Sequence, residues 1–162
     1  MGRELRMPPK IKILEAAGSI GDGRVNIVSD EGSRVIAKVV SSMGDKVYDV
    51  FIERVSGTLF RAYSNDNGTL LRGYIGYPII SVLMVKGLLP RDARVEESLK
   101  GIPWKVLNEK FKSYDKVLEE VNRIVESKEG DLRASTLKTY MDTTYRELSR
   151  YKLVLSRAAA GT

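Results

Sequence analysis

Apolar residues recur at heptad spacing through most of the second half of this chain, which limits what it can fold into. Trp104, Leu107, Phe111, Tyr114, Leu118, Val121 and Val125 alternate spacings of three and four residues, and Leu137, Met141, Thr144, Leu148, Tyr151 and Leu155 do the same. A seam of this kind lies on one side of a helix and needs something to bury it. Two long helices are therefore predicted. The first opens at Pro103, Gly130 stops it, and Asp131 or Ser135 caps the second. A connection this short makes them an antiparallel helical hairpin. Ahead of them, residues 78–89 are the densest apolar stretch. Pro78 suits a first turn and Gly87 a position just past an end. Ile79, Ile80, Val82, Leu83, Met84 and Val85 cover every side, so this helix is expected to be buried. It is too short for a bilayer span, which takes about 20 residues. A short helix is expected near 93–99.

The first half has the other periodicity. Strands are predicted at 10–17, 24–30, 34–42, 46–55, 58–65 and 69–75, separated by turns containing glycine. The longest, 46–55, is apolar on both faces and is expected in the middle of a sheet. Asn67-Gly68 is the strongest hairpin signal in the chain and predicts a type I′ turn. The fold class expected is α+β. It comprises an antiparallel β-meander of five to six strands, as a sheet or partly open barrel, followed by a buried helix and the C-terminal helical hairpin. By segment, 1–9 reads as a flexible tail, with Met7 as an alternative start. Residues 10–90 read as a β-rich unit with the buried helix, 91–157 as connector and hairpin on a shared core, and 158–162 as a second tail.

Composition restricts the chemistry. Among 162 residues there is no Cys and no His. Disulfides, thiol catalysis, Cys-ligated zinc and every His-dependent nucleophile are excluded. No catalytic residue, cofactor or metal is assigned from the sequence. Gln is also absent, which together with the charge content suits a thermophilic source. The opening residues carry charge without an apolar run, so no secretory leader is expected, and the protein is read as cytoplasmic with no membrane partner. Lys and Arg number 27 against 21 Asp and Glu, a net charge of +6. That surplus favours an acidic partner, nucleic acid first.

Four constellations are candidates for function. Across a 67–68 hairpin, Arg61, Tyr63 and Asn65 would share one face with Arg72 and Tyr74. Interleaved Arg and Tyr can stack bases and neutralise phosphates; the alternative is cross-strand pairing that only stabilises the sheet. On the last helix, Arg146, Arg150 and Arg157 form a basic strip, flanked by Lys138 and Lys152, able to touch phosphates. The loop of Asn65, Asp66, Asn67 and Thr69, with Arg72 and Tyr77, is a candidate small-ligand loop, although such residues also suit a plain turn. Asp49 and Glu53, on one face of the central strand, are either a carboxylate pair or salt-bridge partners of Arg34 and Lys38. The glycine-rich run 18–23 lies between predicted strands and lacks the strand–glycine–helix context of a nucleotide fingerprint. Gly73 and Gly76 precede the apolar helix, whose N-terminus would suit an anion or simply mark a tight bend.

The leading functional expectation is a non-enzymatic binding or assembly module with a basic-aromatic sheet face for nucleic acid, and with self-association into a homo-oligomer as a second kind of partner. One alternative is a small-ligand binder, or an enzyme independent of His and Cys, built on the 65–69 loop and Arg72. It requires a deep pocket beside Asp66, Arg72 and Tyr77. A third expectation is an adaptor acting through the helical hairpin.

Overall fold

The computed structural model describes residues 2–128, 130 and 132–156. The chain opens with helix α1 (Ile11–Gly21) and then lays down four strands, β1 (Val25–Asp30), β2 (Arg34–Val40), β3 (Val47–Ser56) and β4 (Leu59–Ser64). Six helices follow: α2 (Asn67–Leu70), α3 (Tyr77–Val85), α4 (Ala93–Ser98), α5 (Trp104–Phe111), α6 (Tyr114–Ser127) and α7 (Ala134–Leu148). The last strand, β5 (Lys152–Leu155), returns to the sheet. The sheet is open, with order β1-β2-β3-β4-β5. Its first four strands are antiparallel neighbours, and β5 runs parallel to β4.

Register separates the two faces of the sheet. Ala37 stands opposite Val50 and Val50 opposite Ser64; Ile52 pairs with Ala62, and Phe60 with Leu153. All are buried, and α3, apolar all round, packs against β3 and β4. The outer face carries Arg34, Lys38, Asp49, Glu53 and Arg61, as period-two alternation requires. A single apolar cluster takes in residues of α1, the sheet and helices α3 to α7.

The α+β class holds, with β3 central as expected, but four elements differ from expectation. Residues 10–17, predicted as a strand, begin α1, which is buried on nearly every side because α3, α4 and α7 all pack on it. Gly18 and Gly21 let its neighbours come close: a Cβ on Gly21 would lie 2.0 Å from the Glu96 carbonyl oxygen. Residues 69–75 are not a strand. Asn67-Gly68 starts α2, because the Asp66 carboxylate accepts from the Thr69 N–H at 3.0 Å and caps a helical turn instead of closing a hairpin. The first seam breaks at Lys112, which takes a left-handed φ of 52°, and Ser113 caps a new helix. The second helix ends at Leu148, so Leu155 of its expected seam belongs to the parallel strand β5 and the sheet is mixed. Helix α7 meets α6, α1 and α4, and its seam residues Leu137, Met141, Thr144 and Leu148 are buried in the common core.

Residues 3–6, expected within a flexible tail, run along the free side of β5. Leu5 N–H donates to Leu153 O at 2.8 Å and Leu155 N–H to Arg3 O at 2.8 Å. Arg6 then brackets Tyr74, donating to Gly73 O at 2.9 Å and accepting from Ile75 N–H at 3.0 Å. Residues 158–162, the other expected tail, lie outside the described residues. Among the described residues, no helix is long and apolar enough to cross a membrane.

Candidate ligand-binding site

The basic-aromatic face expected from a 67–68 hairpin is not formed. Arg61 and Tyr63 stay on the outer face of β4, opposite Glu53 and Phe51 of β3. Arg72 and Tyr74 leave the sheet altogether after α2. On the outer face the cations meet carboxylates: Glu53 lies 3.2 Å from Arg34 and 3.6 Å from Arg61, and Asp49 lies 2.7 Å from Lys38. Asp49 and Glu53 are thus salt-bridge partners, the plainer of their two readings. Asn65 accepts from the Asp49 N–H at 2.9 Å. On α7, Lys138 pairs with Asp142 at 2.6 Å, and Arg150, just past the helix, pairs with Glu147 at 3.4 Å. Arg146 is exposed, and Arg157 lies outside the described residues.

What the fold builds instead is a cavity of about 690 Å³ at the side of the sheet, walled by parts of the chain far apart in sequence. Helix α1 contributes Lys12 and Glu15, one turn apart on the same side. Arg24 immediately precedes β1, and Ser41, Ser42, Asp45 and Lys46 come from the β2–β3 connection. Tyr48 comes from β3, Asp66 and Asn67 from the α2 cap, and Arg72, Tyr74 and Tyr77 from the run into α3. Helix α5 and its C-terminal break close the wall with Trp104, Lys105, Asn108, Lys112 and Tyr114. Of the expected ligand loop, Asp66, Asn67, Arg72 and Tyr77 line this cavity, as does Tyr74. Thr69 lies behind it, holding the Asp66 carboxylate through its hydroxyl at 2.8 Å.

The part of the wall around Glu15 is polar and buried. Glu15 is 2% exposed. Its carboxylate accepts from Lys12 Nζ at 2.9 Å and from Asn108 Nδ2 at 2.8 Å. Burial, the largest influence on Lys12, pulls its pKa down, but the charge and hydrogen bond of Glu15 outweigh it and leave the value above the ordinary lysine range. Lys12 therefore stays a cation. Arg24 donates to Asp22 at 2.9 Å and to Val40 O at 2.7 Å, and lies over the Tyr77 ring. Three residues of this wall each keep a buried polar atom with no hydrogen-bond partner among the described residues: Arg24 Nη2, Asn108 Oδ1 and Trp104 Nε1. The indole nitrogen is against Gly18, where a Cβ would lie 3.0 Å away.

The aromatic lining stays neutral. Burial pushes the Tyr74 phenol up to about 12, Lys12 drawing it down and Tyr114 adding to the rise. Burial also raises Tyr77, against the pull of Arg24, and raises Tyr48, helped by the charges of Asp66 and Asp45. These phenols can both donate and accept at neutral pH. Tyr48 and Tyr77 meet edge to face with centroids 6.2 Å apart.

The mouth is cationic. Lys105 is held by Asp45 at 3.4 Å. Asp45 itself is kept below the usual carboxylate range, first by the Ser41 hydroxyl at 2.8 Å and then by Lys105. Lys46, Arg72 and Lys112 are exposed at the mouth and form no ion pair among the described residues. The α3 N-terminus, one of the expected places for an anion, is filled from within: a Cβ on Gly76 would lie 2.1 Å from Asp66 Oδ2.

Sequence reasoning missed Lys12, Glu15, Arg24, Tyr48, Trp104, Asn108 and Tyr114 as site residues. They come from separate elements, so no local motif contains them. Lys12 and Glu15 were concealed further by the reading of α1 as a strand, which assigns successive residues to opposite faces.

No curated protein and no solved structure matches the chain. One family model does, along residues 5–154, a span that takes in every residue lining the cavity. The chain belongs to the family described as uncharacterised conserved protein UCP014422.

Proposed function

We propose that this protein binds a small organic anion in the cavity, its planar polar head directed inward and its negative group at the mouth. The observation that carries the reading is the conjunction of unpartnered buried polar atoms with a cationic mouth. Buried donors and acceptors are nearly always satisfied, and Arg24 Nη2 and Asn108 Oδ1 are left without a partner among the described residues, in side chains that line a 690 Å³ space. That volume lies within the range of about 300–1,000 Å³ used for small-molecule sites. Neutral tyrosines supply ring faces and hydroxyls, and Lys46, Arg72 and Lys112 supply charge that Glu109, on the same wall, only partly offsets. This is the small-ligand alternative, with its pocket beside Asp66, Arg72 and Tyr77.

The nucleic-acid reading has less support. Its hairpin is absent, and Arg34, Lys38 and Arg61 on the outer face are paired with acids. The adaptor reading needs an unpartnered helical seam, whereas Leu137, Met141 and Leu148 are buried within the chain.

Trp104 is the sole tryptophan and lines the cavity, so its fluorescence reports occupancy. Nucleosides, nucleotides and small carboxylic and phosphorylated acids would be titrated alongside mixed-sequence DNA and RNA. The expected result is a saturable change with at least one small acid, abolished in Asn108→Tyr, which adds a ring to the cavity. No response from any small molecule, or a response only to long nucleic acid, would overturn the proposal.

A further inference from the structure

From the meeting of the Arg3 and Arg6 guanidinium groups at the backbone of Arg72 and Gly73, where Arg72 lines the cavity, we infer a seat for a phosphate group, which makes the cavity's ligand a phosphate ester. The three arginines come together through the backbone. Residues 3–5 are fixed along β5, and Arg6 is fixed to both sides of Tyr74 by its own N–H and carbonyl. The Arg6 guanidinium donates from Nη2 to the Arg72 carbonyl oxygen. The Arg3 guanidinium covers the next residue: a Cβ on Gly73 would lie 3.0 Å from Arg3 Nη2. Gly73 has a φ of +74°, so this position favours glycine on conformational grounds. Two guanidinium groups thus meet at the Arg72–Gly73 link, and the third belongs to Arg72, which lines the cavity.

None of the three forms an ion pair among the described residues. Glu4, which lies between Arg3 and Arg6 in sequence, is 4.0 Å from Lys152 instead. The arrangement contrasts with the outer sheet face, where acids stand opposite Arg34, Lys38 and Arg61. Like charges gathered without a counter-charge repel one another, and a dianion between them removes that repulsion. Guanidinium groups match phosphate oxygens in a planar, two-pronged geometry that a lysine cannot supply. A phosphate here would leave the rest of its ester free to enter the cavity past Tyr74, which follows Arg72 and Gly73 in the chain and lines the wall.

The phosphate seat stands on the arginines alone; only the identity of the ligand as an ester rests on the cavity reading. The experiment separates the two. Inorganic pyrophosphate is titrated into the full chain by calorimetry at two salt concentrations, then AMP and adenosine. Pyrophosphate should bind, more weakly at the higher salt, and lose at least tenfold in affinity in Arg3→Gln/Arg72→Gln. Lys116→Gln, which removes an exposed cation on α6, should leave it unchanged. Both variants are checked for native circular dichroism; should the double variant misfold, Arg72→Lys, which keeps the charge and loses the fork, takes its place and should weaken binding severalfold. If the cavity reading fails, pyrophosphate still binds but AMP gains nothing over it in the native chain. If pyrophosphate does not bind at low salt, or binds the double variant as well as the native chain, the phosphate seat is refuted even where a non-phosphorylated acid occupies the cavity.

Discussion

A methyl group on Gly76 would lie 2.1 Å from Asp66 Oδ2 and 2.6 Å from its carboxyl carbon, a separation that real side chains do not tolerate. The Asp66 carboxylate cannot swing away, because Thr69 holds it through both its N–H and its hydroxyl. Gly76→Ala should therefore destabilise the chain by roughly 3 kcal/mol, at the upper end of what overpacking costs. Gly87 is the control. Its φ is +77°, but nothing lies within 4 Å of the place a Cβ would take, so Gly87→Ala should cost only the left-handed penalty of about 1–2 kcal/mol. Urea unfolding of the two variants measures the difference, and equal losses would contradict the tight seat at Asp66. The tyrosines give a second prediction at this scale. Burial raises Tyr74 and Tyr140 from 10.0 to about 12, and raises Tyr48 and Tyr77 as well. Above pH 10 the unfolded chain loses these protons while the folded chain keeps them. Stability is thus complete below pH 10 and falls as pH rises towards 12. In an absorbance titration at 295 nm, about half of the eight tyrosines should ionise late, together with the loss of near-ultraviolet dichroism. A single transition near pH 10 for all eight, with the fold intact, would show these phenols to be exposed.

At the scale of elements, the break between α5 and α6 joins stability to function. Lys112 holds a left-handed φ of 52° at the C-cap of α5, and the same residue faces the cavity mouth. Glycine takes that conformation without the Cβ penalty. Lys112→Gly should therefore stabilise the chain by up to about 1 kcal/mol while weakening an anionic ligand severalfold. Unfolding and calorimetric titration of one variant test both effects, and a variant less stable than the native chain would contradict the strain argument. The same break is illegible in the sequence, because Phe111 and Tyr114 keep the heptad spacing straight across it. Legibility follows the source of each signal. Strands β1 to β4 are readable nearly to their ends, since Gly-bearing turns separate runs rich in Val and Ile. Helix α3 is readable from Pro78 and Gly87, and α4 falls close to its expected position. Helix α1 reads wrongly because Ile11, Ile13 and Leu14 suit a strand locally, and only the surrounding helices show that all its sides are buried. Residues Asn67 and Gly68 read wrongly because the hairpin signal ignores the Asp66 side chain, which caps a helix instead. Of the site, Asp66, Asn67, Arg72, Tyr74 and Tyr77 are legible in one local run. Lys12, Glu15, Arg24 and Asn108 are not, since what makes them a site is the packing of α1 and α5 against the sheet.

The whole molecule folds around one apolar cluster. Phe60 and Leu153 of the sheet, Ile79 and Leu83 of α3, Trp104 of α5, Val121 of α6 and Leu148 of α7 all belong to it. Strand β5 locks this arrangement. It follows α7 directly, pairs with β4, and receives residues 3–5 on its other side, so the first and last described segments of the chain lie next to each other at the edge of the sheet. A core shared in this way cannot lose its helices and keep its sheet, because β2, β3 and β4 would expose Val35, Val50, Ile52 and Phe60 to water. The loss of Trp104 fluorescence, which reports on α5, should therefore coincide in urea with the loss of far-ultraviolet dichroism, which reports on the whole chain. Leu148 offers the sharper test. It is fully buried in the apolar cluster, and an aspartate there would bury a charge among apolar side chains, a change whose cost exceeds the stability of most domains. Leu148→Asp should fail to fold at all. A folded Leu148→Asp monomer arising from a larger native assembly would instead place α7 at an interface between chains, and two separate unfolding transitions in the native protein would divide the sheet from the helices.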